Sequence, residues 1–152
     1  MLAKIVHFLR VSTPWLAVII LWRLSVSFWN PAGLLALIPI FYYSFVRPTH
    51  YFVPFAILFC FLIDYKFETL AFWTAWYCLF YAVNGFQTFF DLTKIEFDAI
   101  HIFVLFFGLG MLVLLLANFG FINMLGTILI ILWSGLLYIP ITRLIKWVQN
   151  DR

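Results

Sequence analysis

Two consecutive runs of this chain contain no charged residue, Ala32 to Val46 and Tyr51 to Ile63, and only Arg47-Pro48-Thr49-His50 separates them. Asn30-Pro31 leads into the first run and Asp64 closes the second. Charge-free apolar runs of this kind are helices buried in protein or in lipid. The junction between them has the composition of a turn at a membrane–water interface. Tyr42, Tyr43 and Tyr51 supply amphipathic rings at headgroup depth, while Arg47 and His50 reach outward to water. A membrane hairpin follows, and it constrains the rest of the chain.

The composition agrees. Of 152 residues, 66% are hydrophobic and 10% are charged, and the mean hydropathy is +1.10, whereas a soluble domain is nearer half apolar and a quarter charged. A span needs roughly 20 mostly apolar residues, so the reading is an all-α fold: one polytopic bundle of six transmembrane helices in a single domain, 1–152. The expected spans are about 11–29, 32–46, 51–64, 70–90, 102–119 and 124–138. Those at 32–46 and 51–64 are short for a hydrocarbon core of about 30 Å, so the bilayer thins there or their neighbours shelter them. No room is left for a soluble catalytic domain.

Met1 to Arg10 reads as a basic start at the cytoplasmic surface, with Lys4, His7 and Arg10 three apart on one helical face. Pro14 falls in the first turn of the first span, where its missing amide proton costs nothing. Arg23 follows the apolar core with no small-residue cleavage site, so the segment is expected to be a retained span. Arg23 itself is a snorkelling anchor or the partner of a carboxylate within the bundle. Asp64 to Thr69 is a polar break short enough to force spans three and four into an antiparallel hairpin. Asn84-Gly85 and Gln87 offer hydrogen bonding and close approach between helices. Asp91 to His101 is the most charged segment, Gly108 and Gly110 are too close for a GxxxG face, and Pro140 is expected to end the last span before a basic, aromatic exit helix with Arg143, Lys146 and Trp147.

With both termini cytoplasmic, Lys4, Arg10, Arg47, Lys94, Arg143, Lys146 and Arg152 lie inside, against Arg23 and Lys66 on the other side. The net charge of +3 therefore reads as topology rather than nucleic-acid binding. Cys60 and Cys78 lie in apolar runs, where a thiol behaves as a small hydrophobe. The i, i+3 pair Asp98/His101 lacks further ligands nearby, so no metal site and no cofactor is expected. There is no HExxH, GxSxG, Walker loop or CxxC, so the chain is not expected to be an enzyme. A transporter subunit holding a vitamin-sized ligand is the principal rival reading; it requires Arg23, Asp64, Asn84 and Gln87 to converge. A bare membrane scaffold is the third.

One order of features resembles a known family. Asn30-Pro31 opens the second span, Pro39-Ile-Phe-Tyr-Tyr43 runs on to Arg47-Pro48, Asp64 ends the third span, Gln87 stands near the end of the fourth, and Tyr138-Ile-Pro140 precedes Arg143. This resembles the rod shape-determining protein MreD family across nearly the whole chain. The family pattern usually has a glycine one turn before the aspartate and a Gly-x-Pro-Leu-Gly-like run after it. This chain has Phe59-Cys-Phe-Leu-Ile63 and Tyr65-Lys-Phe-Glu-Thr-Leu70 instead.

The resemblance implies a multi-pass protein of the bacterial inner membrane with a fold similar to the S-components of energy-coupling-factor transporters. It implies a non-catalytic role: binding the single-span partner MreC and other elongation-complex proteins, and linking cytoplasmic filaments to cell-wall synthesis. Arg47, Pro48, Asp64 and Gln87 are then the partner or structural candidates, with Arg23 and Asn84 as intramembrane polar contacts. Extramembrane loops are too short for a standard interface of about 1,600 Å², so a partner meets helix surfaces and loop tips.

Overall fold

The computed structural model describes residues 2–28, 34–49, 51–86, 99–117 and 124–149, and every regular element among them is helical. Six helices follow in order: α1 (Leu2–Phe28), α2 (Leu37–Phe41), α3 (Phe52–Phe67), α4 (Phe72–Phe86), α5 (Ala99–Leu116) and α6 (Met124–Gln149). A 3₁₀ turn at 34–36 leads into α2, and a π-helical turn, Tyr42–Val46, continues it.

Leu34–Val46 is the centre of the bundle. From Leu34 to Ser44 every residue but Leu35 is buried, because a helix apolar on all faces has no side to give to solvent. It packs against α1, α3, α4 and α6, and Phe41 carries it onto α5 through Phe103 and Phe106, with ring centroids 5.3 and 5.6 Å away. At 1.5 Å per residue the stretch is only about 20 Å long, and its neighbours shelter it. Pro39 is the third residue of α2, in the turn where the 3₁₀ segment passes into α-helix. The π turn closes the helix as Arg47 N donates to Tyr42 O at 2.8 Å and Thr49 N to Tyr43 O at 3.1 Å. Tyr51, at φ 61°, then reverses the chain into α3.

Helices successive in the chain alternate in direction. Trp15 meets Phe52 and Trp22 meets Phe59, so α1 and α3 run parallel. Gly108 faces Ile131 while Gly135 faces Val104, so α5 and α6 run antiparallel. Leu2, the 47–49 turn and Gln149 therefore share one end of the bundle, here the near end; the 68–71 turn marks the far end.

Four boundaries differ from the expected spans. The basic start is not a separate surface element, because α1 runs unbroken from Leu2 and Pro14 is interior to it. Thr13 Oγ1 donates to Leu9 O at 2.9 Å in the turn whose amide Pro14 lacks. In α3 the helix continues past Asp64 to Phe67, so the polar break is shorter than Asp64 to Thr69. Pro140 does not end the last helix, since α6 continues to Gln149. Thr142 Oγ1 donates to Tyr138 O at 2.7 Å and Ile139 O at 3.1 Å there, the side-chain bonding that lets proline persist within apolar helices. In α5, helix begins at Ala99, ahead of the expected 102. The charged stretch Asp91 to Asp98 and the turn Asn118 to Asn123 lie outside the described residues.

Three helices are long and apolar enough to cross a membrane, α1, α5 and α6. No more than a third of the apolar window of each is buried, and the exterior carries exposed Leu, Ile, Val and Trp along its length. Water tolerates no apolar surface so continuous, so the bundle's outer face suits hydrocarbon.

Inside, the packing is aromatic. Trp73 stacks on Phe107 with centroids 5.7 Å apart, and Phe80 meets Phe106 edge-on at 4.8 Å. Gly110 makes this seam between α4 and α5 close enough: a Cβ there would stand 2.8 Å from the Trp73 ring and 3.1 Å from Trp76 Nε1. Trp76 Nε1 uses that room to donate to Phe106 O at 3.0 Å. Gly110→Ala is expected to destabilise the bundle by about 1–3 kcal/mol through overpacking. Gly108→Ala, whose nearest neighbour is 4.0 Å away, should be neutral or better, and thermal unfolding of both variants in detergent checks the contrast.

Candidate functional site

The α3–α4 junction gathers the buried polar chemistry of the far end. α4 opens after Ala71, which has no side-chain oxygen to cap it, so the four amides of its first turn must find acceptors elsewhere. Asp64, one turn before the end of α3, supplies two of them. Trp73 N donates to Oδ1 at 2.8 Å and Thr74 N to Oδ2 at 2.9 Å. Two hydroxyls complete the set: Thr69 Oγ1 donates to Oδ1 at 2.5 Å and Thr74 Oγ1 to Oδ2 at 2.8 Å. The other amides are met locally, Phe72 N by Thr69 O and Ala75 N by Ala71 O, each at 3.0 Å. The carboxylate is 3% exposed, and it lies at the positive end of the α4 dipole.

This remote cap holds a strained turn. Glu68, Leu70 and Ala71 have φ of 55°, 49° and 59°, a region that residues with a Cβ rarely adopt. The turn contains no glycine, yet the connection is tight. Such strain persists only where the surroundings over-determine it, and the Asp64 bonds to Thr69, Trp73 and Thr74 do so from both sides of the turn. Beside it, the Lys66 ammonium lies 5.6 Å from the Trp22 ring centroid and 5.4 Å from that of Phe67. The charge at this end thus leans on aromatic faces.

The other candidates lie elsewhere. Arg47 and Pro48 are exposed at the near end, and Arg47 Nη1 donates to Gln149 Oε1 at 3.1 Å, tying the central turn to the end of α6. Asn84 is half-buried on α4 and lines a cavity of about 210 Å³ between α2, α4 and α5 with Phe41, Phe45 and Phe80. It stands eleven residues beyond Trp73, about 16 Å along the helix from the Asp64 cluster. Arg23 is exposed on α1, with no ion pair among the described residues. Gln87 lies outside the described residues, as does Asp98 of the Asp98/His101 pair. The structure therefore does not bring Arg23, Asp64 and Asn84 together. Cys60 is buried and Cys78 exposed, both as free thiols. Among the described residues no three His, Cys, Asp or Glu side chains are placed to hold a metal ion.

Thr69 and Thr74 are the members of the cluster that the sequence reading passes over. The signal for them is an omission: a helix starting at Phe72 with Ala71 before it lacks a local cap. Spacings of five and ten residues from a span-ending aspartate are what a helix–turn–helix needs to fold back on it. Asp64→Ala is expected to lower stability by roughly 3 kcal/mol, and Thr74→Val by about 1 kcal/mol. Thermal unfolding in detergent measures both, and amide exchange at Trp73 and Thr74 should accelerate in the first variant.

Comparison with known proteins adds no relative: no family model, no curated protein and no solved structure matches this chain.

Proposed function

We propose that this chain is a non-catalytic, six-pass inner-membrane component of the bacterial cell-shape machinery, related in design to the MreD family. In this role it binds a single-span partner with a periplasmic domain and links cytoplasmic filaments to cell-wall synthesis. The near end is cytoplasmic, because Lys4, Arg10, Arg47, Arg143 and Lys146 all belong to it.

The observation that carries the reading is the α3–α4 junction. A span-ending aspartate followed by glycine is the family's pattern, and positive φ at Glu68, Leu70 and Ala71 is the backbone that glycine serves best. The turn here reaches positive φ without glycine, which is compatible with a divergent member. A second support is the use of polar groups. Asp64 is saturated by intramolecular bonds, and the hydroxyls of Ser44 and Tyr77 bond each other at 2.7 Å in the core. These groups are occupied in holding helices together, as in a scaffold.

The reading is tested by affinity purification from native membranes in mild detergent, with mass spectrometry of what is retained. Expected is a single-span protein with a large periplasmic domain, together with wall-synthesis proteins. An ATPase pair with a coupling membrane subunit, or a bound vitamin, would overturn it in favour of a transporter. Asp64→Ala is expected to insert normally but retain less of the partner, because the start of α4 shifts when its cap is lost; wild-type yield of partner from that variant refutes a role for the junction in assembly.

A further inference from the structure

α1 and α6 lie side by side and leave a groove between them that opens to the outside of the bundle. Leu9, Leu16, Ile20 and Leu24 line it from α1, and Leu144 and Val148 from α6, around a volume of about 340 Å³. It extends over some fifteen residues of α1, about 22 Å at 1.5 Å per residue, more than the roughly 15 Å that half a hydrocarbon core provides. At the near end, through the shared Leu9 and Val148, it widens into a depression of about 510 Å³ bounded by Val6, Arg10 and Trp147. An apolar groove whose α1 wall is of leaflet depth, and whose α6 wall runs about 10 Å from Ile141 to Val148, thus ends beside one guanidinium and one indole.

Three features identify what fills it. Arg10 is exposed and forms no ion pair among the described residues, whose carboxylates, Asp64 and Glu68, belong to the far end. Its planar fork suits phosphate oxygens. Trp147 is 78% exposed, as an interfacial indole is at headgroup level. The wall between is mostly large and apolar: of its residues only Thr13 and Ala17 are small, and the Thr13 hydroxyl is already donated to Leu9 O. Helices that associate in membranes use small residues and hydrogen bonds instead.

We propose that the α1–α6 groove holds one anionic phospholipid, its phosphate against Arg10, its glycerol region beside Trp147 and an acyl chain along the groove. The inference rests on the multi-pass reading with the near end at a bilayer surface, and is independent of the cell-shape role. Zwitterionic lipids fit the same groove, but their positive headgroup opposes the guanidinium, so the site selects by net headgroup charge.

The test is reconstitution of the full chain into nanodiscs with equal phosphatidylglycerol and phosphatidylcholine, followed by native mass spectrometry of the lipid retained. The wild type is expected to favour phosphatidylglycerol by roughly five-fold, the effect of one cation near a charged leaflet, and Arg10→Gln to bring the ratio near parity. Lys146→Gln removes the same charge two residues from Val148, about 200° round α6 and away from the groove, and should keep the preference. Equal melting temperatures of the three proteins establish that each is folded. An unchanged ratio in Arg10→Gln, or an equal loss in Lys146→Gln, overturns the site in favour of diffuse surface charge. Failure of the wild type to enter nanodiscs would instead overturn the multi-pass reading and the lipid site with it.

Discussion

The bundle depends on one carboxylate placed where water is scarce. A helix that begins within an apolar bundle exposes backbone amides whose desolvation is costly without acceptors, and the residue before α4 is Ala71, which has no side-chain acceptor. Asp64 answers this from the preceding helix, and in doing so joins α3 to α4 through bonds to Thr69, Trp73 and Thr74. The consequences travel along α4. Its starting point sets the register in which Trp73 and Trp76 meet Gly110 on α5 and Tyr77 meets Ser44 on the central helix.

A second constraint is the division between core and periphery. Leu34–Val46 is too short to span hydrocarbon and too apolar to face water, and it finds a place only inside a ring of longer helices. α1, α5 and α6 supply length and leave apolar surface outward. Prolines are placed accordingly. Pro39 stands where the 3₁₀ turn passes into α2, while Pro14 and Pro140 lie within long continuous helices in turns where Thr13 and Thr142 donate to backbone carbonyls. Polar side chains therefore serve the backbone at most of the described sites. A groove ending at Arg10 and Trp147, by contrast, presents a cation that forms no ion pair among the described residues.

Much of this was legible in the residues. Charge-free runs announce helices without any knowledge of packing, and the cations gather at one set of turns. Helix boundaries were less legible, because local rules treat proline as a break, whereas a threonine near it and the absence of water hold the helix together. Asp64 could be recognised as the end of an apolar run but not as a buried cap. A span-ending carboxylate facing water and one folded onto the next helix have the same neighbours in sequence. Thr69 and Thr74 were invisible for the same reason, since each matters only once the turn has closed.

By itself the sequence determined the helical class, the apolar exterior and the basic end, because these follow from composition and from the sign of charge along the chain. Only the tertiary structure decided that the short charge-free stretch Leu34–Val46 lies innermost, that glycine-free backbone at Glu68, Leu70 and Ala71 adopts positive φ, and that Arg23, Asp64 and Asn84 stay apart. Each of those depends on which helix faces which, and hence on close packing among aromatic rings and on a few hydrogen bonds between residues distant in the chain. Hydropathy is a sum over single residues and carries no information about such pairs.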